Sequence, residues 1–146
     1  MHSNMMFAIC VLLTALAASS LIGQDSQRQT GMAEAQSTNF IVYREAVREY
    51  IMNHSGHTGI ISESDLDLPR TYKNMGWNSE ADSGEAWVYG DMAPEGLRRT
   101  VEKMDQPISV GQKEGGVLVS PVYGNTSIAV PGFVAAGHVA AVIKNS

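Results

Sequence analysis

Met5–Ile22, MMFAICVLLTALAASSLI, is the stretch whose reading decides the architecture. It carries no charge and is followed at once by Gly23, Gln24 and Asp25. A helix of about 18 residues rises about 27 Å, enough to cross the hydrocarbon core of a bilayer. Met6, Phe7, Ile9, Val11, Leu12, Leu13, Leu16, Leu21 and Ile22 are the expected lipid-facing anchor. A cleaved secretory signal is the alternative. It would need a basic n-region, whereas only His2 and the terminal amine precede the run, but Ala15-Leu16-Ala17 has the small-x-small form of a cleavage site. A buried core helix is disfavoured, because an apolar run without a polar face needs a larger domain around it. Cys10 follows Ile9, not the small residue that lipid modification requires, and as the single cysteine it leaves the remainder without a disulfide.

Outward from this run, the organisation reads as an anchor at 1–23, a linker or helical extension at 24–38, and one α+β domain at 39–146. The roughly 123 residues after the run suffice for one compact domain. All of the charge lies there, net −5, and the one basic doublet is Arg98-Arg99. Nucleic-acid binding needs clustered Lys and Arg against phosphates, so it is excluded, and protein partners are expected. Membrane contact is assigned to the N-terminal helix alone. Arg28 and Asp25 balance beside the run, so orientation is weakly encoded, and the short leader points to an exported, periplasmic domain.

Phe40, Tyr43, Val47, Tyr50 and Ile51 recur at helical spacing, which predicts a helix from near Asn39 to Asn53 packing on a sheet. Asn39 has the chemistry of an N-cap. His54 and His57 follow in a turn-rich stretch, where Gly56 and the lack of a nearby ligand argue against a metal site. Asp65 and Asp67 alternate with Leu66 and Leu68, the pattern of a half-buried edge segment with its acids in solvent. Tyr72–Trp77 and Glu85–Tyr89 read as two strands around a polar loop at Asn78–Gly84, with Trp77 and Trp87 in the core. Pro94-Glu95 opens a second helix, with Leu97, Val101 and Met104 on its apolar face. Its other face offers Arg98, Arg99 and Lys103, read as a solvated face, with docking of an acidic partner as the sharper alternative.

The last forty residues are strand-like: Ile108–Val110, Val117–Val119, Ser127–Val130 and Phe133–Ile143, joined by short Gly-rich turns that favour a mainly antiparallel sheet. Gly111 and Gly116 have the spacing of a phosphate loop, but Val117-Leu118 stands where Lys and Ser or Thr are required. His138 reads as a structural strand histidine. No nucleophile–base pair, metal cluster or cofactor fingerprint emerges, so catalytic, metal and cofactor residues are assigned as none. The expectation is a non-enzymatic protein that works by contact.

The outline is pilin-like: an apolar N-terminal helix, an amphipathic continuation, then a sheet. A prepilin's basic leader, Gly or Ala cleavage site and early Glu are absent. Over most of its length the chain instead resembles the PilM family of conjugative-plasmid type IVb thin-pilus biogenesis proteins, not the actin-like cytoplasmic protein that shares the name. The likeness rests on the N-terminal run, on Ser64-Asp65-Leu66-Asp67-Leu68-Pro69 leading to Gly76-Trp77, and on Val130-Pro131-Gly132-Phe133-Val134. It implies an inner-membrane component of the pilin export apparatus or basal body, serving conjugation in a Gram-negative bacterium, with other pilus-assembly proteins as partners. It carries no active site to transfer. A secreted minor-pilin-like or adhesin-like subunit and a small periplasmic hydrolase are the alternatives.

Overall fold

The computed structural model describes residues 2–144, with side chains from Gln27 onward. Helix α1 runs from His2 to Asn53 without interruption. The expected membrane anchor, Met6 to Ile22, lies outside the residues whose side chains are described. Among the described residues no helix is long and apolar enough to cross a membrane. Two units separate along the chain, 1–32 and 33–146. The second unit holds the sheet and both cores described below.

No helix start stands at Asn39. The backbone is already helical there, and the asparagine side chain is engaged elsewhere in the fold. The buried stripe begins earlier than the Phe/Tyr/Val pattern indicated, at Ala33 and Ser37, and continues through Phe40, Tyr43, Ala46, Val47 and Ile51. Ala33 and Ser37 are small, so no large apolar side chain marks the start of the stripe in the sequence.

Seven strands form one sheet: β1 Gly59–Ile60, β2 Asn78–Asp82, β3 Glu85–Gly90, β4 Val110–Glu114, β5 Val117–Ser120, β6 Gly124–Ala129 and β7 Val139–Lys144. Their spatial order is β1-β2-β3-β7-β4-β5-β6, and every pair is antiparallel. The fold is therefore α+β, with helices packed on an antiparallel sheet. Helix α2, Pro94–Lys103, connects β3 to β4. β7 then returns to fill the place between those two strands, pairing Gly90 with Val139 on one side and Gly111 with Ala140 on the other. This central strand reads Val-Ala-Ala-Val-Ile, all buried, which is the composition expected of a strand covered on both faces.

Alternation along β3 and β7 divides the core in two. Ala86, Val88, Val139, Ala141 and Ile143 face α1 and α2, where they pack with Phe40, Tyr43, Val47, Ile51, Leu97 and Val101. Fully burying each of the Val, Leu, Ile and Phe side chains among them contributes about 1.5–3 kcal/mol. Trp87, Ala140 and Val142 face the other way, into a smaller cluster with Leu118, Val130 and Val134. The segment 130–138 lies over this second face and is not strand, contrary to the expectation for Phe133–Ile143; only Val139–Lys144 is. Lys113 holds the segment down, its Nζ donating to the carbonyls of Pro131 at 2.9 Å and Val134 at 2.7 Å.

Three further expectations change. Tyr72–Trp77 is an irregular loop, and the strand is the polar run Asn78–Asp82, whose Ser79 and Ala81 are the buried positions. The turn between β2 and β3 is only Ser83-Gly84, both at positive φ, as a two-residue hairpin demands. Glu63–Asp65 forms a 3-10 turn rather than an edge strand, although Leu66 does turn inward and Asp65 and Asp67 outward. Ile108 likewise lies in a 3-10 turn, Pro107–Ser109, ahead of β4. Gly111, one of the two phosphate-loop glycines considered, is needed for packing: a Cβ there would lie 2.5 Å from the Val119 carbonyl oxygen. Its partner Gly116 forms with Gly115 the tight turn between β4 and β5, both at positive φ.

Candidate functional site: the surface shared by α1 and α2

Helix α2 begins with Pro94 at its first turn and with Ala93, which offers no side-chain cap. The missing acceptor comes from α1: Gln36 Oε1 accepts the Ala93 backbone N–H at 3.3 Å. Close approach at this end is possible because Gly96 has no side chain; a Cβ there would lie 2.9 Å from Met92 Cγ and 3.1 Å from Gln36 Oε1. Leu97 and Val101 enter the core, and Met104 is half-buried beside it, as their spacing predicts.

The opposite face carries Arg98, Arg99 and Lys103, and the structure places a carboxylate against each. Arg98 bridges Glu95 at 2.6 Å and Glu102 at 2.8 Å, both on its own helix. Arg99 Nη1 reaches Glu34 of α1 at 3.0 Å, and Lys103 Nζ donates to the other oxygen of the same carboxylate. Glu34 is thus held below the ordinary carboxylate range, first by Lys103 and then by Arg99. Glu95 is lowered in the same direction, chiefly by Arg98, whose own pKa is raised in return. The surface that reads as bare positive charge in the sequence is a charge-paired seam between two helices. Sequence reasoning missed Glu34, because nothing local links it to residues so far along the chain.

Beside this seam, Asn39 organises the loop that was expected to be a strand. Its Oδ1 accepts from Trp77 Nε1 at 2.8 Å, the Tyr72 hydroxyl at 2.8 Å and the Met75 N–H at 3.2 Å, while its Nδ2 donates to the Lys73 carbonyl at 2.9 Å. Asn74 finishes the turn, its Oδ1 accepting the N–H groups of Gly76 and Trp77. Trp77 stands edge-on to Phe40, with ring centroids 5.1 Å apart. Tyr43 and Ser79 share a buried hydrogen bond at 3.1 Å, and Ser79 donates onward to the Ile61 carbonyl. Burial pushes the Tyr43 and Tyr72 hydroxyls up, so both stay protonated donors. A cleft of about 410 Å³ opens beside them, lined in part by Glu63, Asn78 and Tyr89.

His54 and His57 are committed to architecture. His54 stacks on Tyr50 at 4.1 Å, and its Nδ1 donates to the Tyr50 carbonyl. His57 Nε2 donates to the Ile60 carbonyl at 3.1 Å, which leaves Nδ1 to accept the Tyr50 hydroxyl at 3.2 Å. Together they close the C-terminal end of α1 against β1. His138 sits in the turn before β7, where its carbonyl accepts the Lys113 N–H. Among the described residues no three His, Cys, Asp or Glu side chains gather as metal ligands.

Two helices pack on the antiparallel sheet, with polar side chains engaged in holding the elements together. The PilM family model matches residues 6–142, from within the apolar run through most of β7. The chain belongs to the PilM family, the plasmid-type pilus family that its sequence resembles. The same fold is found in a crystal structure bearing the PilM name from Escherichia coli B7A, with 18% identity and a TM-score of 0.62 over 79% of this chain and 94% of that one. A second crystal structure of that name, from Pseudomonas aeruginosa 2192, has 24% identity over 75% of this chain and 92% of that one, with a TM-score of 0.39. No curated protein matches. The segments that carry the resemblance are partly packing segments: Leu66, Trp77, Val130 and Val134 are all buried.

Proposed function

We propose that this protein is a non-enzymatic, single-pass inner-membrane component of type IV thin-pilus biogenesis. It acts in the pilin export apparatus or basal body and supports conjugation. The start of α1 holds it in the membrane, the sheet-bearing unit stands in the periplasm, and other pilus-assembly proteins are its partners. The observation that carries this reading is the family match itself, which takes in both the apolar run and the folded unit. A contact role is supported by the use of His54, His57, Tyr43 and Asn39 as structural hydrogen-bonding groups.

The test is the intact mass of the protein in carbonate-washed membranes from cells carrying its native operon. A full-length mass in the washed membrane is expected, together with its loss from that fraction when Leu12 and Leu13 are both replaced by Lys. Recovery from the soluble periplasm of a form truncated after Ala17 or Ser20 would overturn the anchor and leave a secreted pilus subunit.

A further inference from the structure

A groove of about 580 Å³ lies between the second half of α1 and the end of β7, away from the charge-paired seam. Arg44, Arg48 and Met52 contribute from α1, Ile108 from the turn before β4, and Ile143 and Lys144 from β7. Arg44 is the unusual member. Its side chain is only 14% exposed, yet its Nε has no hydrogen-bond partner among the described residues. Glu45 approaches it at 3.9 Å, beyond hydrogen-bonding range, and also pairs with Arg48 at 3.4 Å. Asp105 lines the same groove and acts on Arg44 only through its field.

A guanidinium carries five N–H donors and stays charged at any accessible pH, so burying it without acceptors is costly. Ser37 Oγ, Arg99 Nε and His138 Nδ1 are also buried without a hydrogen-bond partner among the described residues, but Arg44 alone of the four lines this groove. The groove also runs against the charge of the chain. With Arg44, Arg48 and Lys144 set against Glu45 and Asp105, it is net positive on a protein of net charge −5. Its rim is apolar and open, with Met52 67% and Ile108 53% exposed. Nε itself is closed to solvent, so a docked carboxylate would meet the guanidinium where Arg44 lines the groove and gain a charge-assisted hydrogen bond there. An aliphatic neighbour would cover the rim.

We infer that this groove is a docking site for a short segment of a partner protein that sets a Glu or Asp carboxylate on Arg44 and an aliphatic side chain against Met52 and Ile108. The inference deepens the contact reading by naming one contact surface. Its test measures binding directly, so the membrane location can fail without it.

The probe is the blocked tripeptide acetyl-Leu-Glu-Leu-amide, titrated into the full chain in detergent micelles, with its Gln counterpart as control. The Glu peptide is expected to shift the Arg44 Nε–Hε resonance with a Kd of about 1 mM or tighter. The Gln peptide should bind about tenfold more weakly or less. Arg44→Gln, followed through the methyl resonances of Ile108 on the groove rim, should abolish binding. Arg70→Gln, at an exposed arginine elsewhere, should leave it unchanged. Met52→Glu, at an exposed position where folding is not at stake, should weaken binding several-fold by placing a competing carboxylate on the rim. Equal binding of the two peptides overturns the proposal, as does an unmoved Arg44 resonance at about 10 mM peptide. An Arg44 resonance that moves with protein concentration alone would give the groove to a second copy and overturn it as well.

Discussion

Asn39→Ala tests the central claim about how α1 holds the loop before β2. The substitution removes one acceptor shared by three donors and one donor to the Lys73 carbonyl. The costs are unequal. Trp77 is 3% exposed, so its indole N–H loses its partner where water does not readily replace it, at about 1–3 kcal/mol. The Met75 N–H and Lys73 carbonyl lie at exposed positions and re-solvate, each losing about 0.5 kcal/mol. The Tyr72 hydroxyl keeps the backbone carbonyl of residue 39 at 3.0 Å. Alanine returns about 0.6 kcal/mol through its better helix propensity. The expected net loss is about 1.5–3.5 kcal/mol, read from urea denaturation followed by tryptophan fluorescence with the slope unchanged. Asn39→Asp separates the two halves of the role, since it keeps the acceptor and loses only the amide donor. It should cost less than about 1 kcal/mol. A loss below about 0.5 kcal/mol for the alanine variant would refute the reasoning, as would equal losses for both variants.

Two further outcomes follow from the packing and the charges. Gly111→Ala places a methyl against strand backbone, 2.5 Å from the Val119 oxygen and 2.8 Å from its carbon, and should destabilise by about 1–3 kcal/mol in thermal or urea melts; an unchanged midpoint would show that the strands part freely. Glu34 and Glu95 have folded pKa values below the ordinary 4.5, so their contribution to stability is present above that value and disappears as pH falls through the lowered values. Stability should therefore drop as pH falls below the ordinary 4.5, and Glu34→Gln should flatten the drop; a parallel pH profile for the variant would contradict the pairing.

What the sequence makes legible is what depends on neighbours a few residues away. The stripe from Phe40 to Ile51 and the pattern Leu97, Val101, Met104 have helical spacing, and both helices pack as that spacing implies. Gly115-Gly116 bears glycine where positive φ requires it, whereas the turn at Ser83-Gly84 sets a serine at positive φ and is shorter than the loop 78–84 that the sequence suggests. Tyr72–Trp77 misleads because Tyr72, Met75 and Trp77 give it strand-like composition, while the hydrogen bonds that make it a loop come from Asn39, far away along the chain. β2 hides for the reverse reason. Asn-Ser-Glu-Ala-Asp has no strand composition, and its membership of the sheet is fixed by pairing with β3 and by Tyr43 reaching Ser79. The positive face of α2 is local and visible, but its neutralisation by Glu34 is long-range and is not. Arg44 reads as an ordinary surface arginine beside Glu45. Only the walls of the groove show that it is buried.

The central position of β7 has a bearing on how the protein is made. Synthesis delivers β1–β3 and then β4–β6 before the strand that joins them, so the emerging chain holds two half-sheets, each with an unsatisfied edge at β3 or β4. Such edges invite pairing with other chains. Closure also waits for partners far apart along the chain, which is intrinsically slow. A product interrupted before Val139 would keep both edges open and lose the strand common to the two cores. The two cores thus become whole only once Val139–Lys144 has paired on both sides.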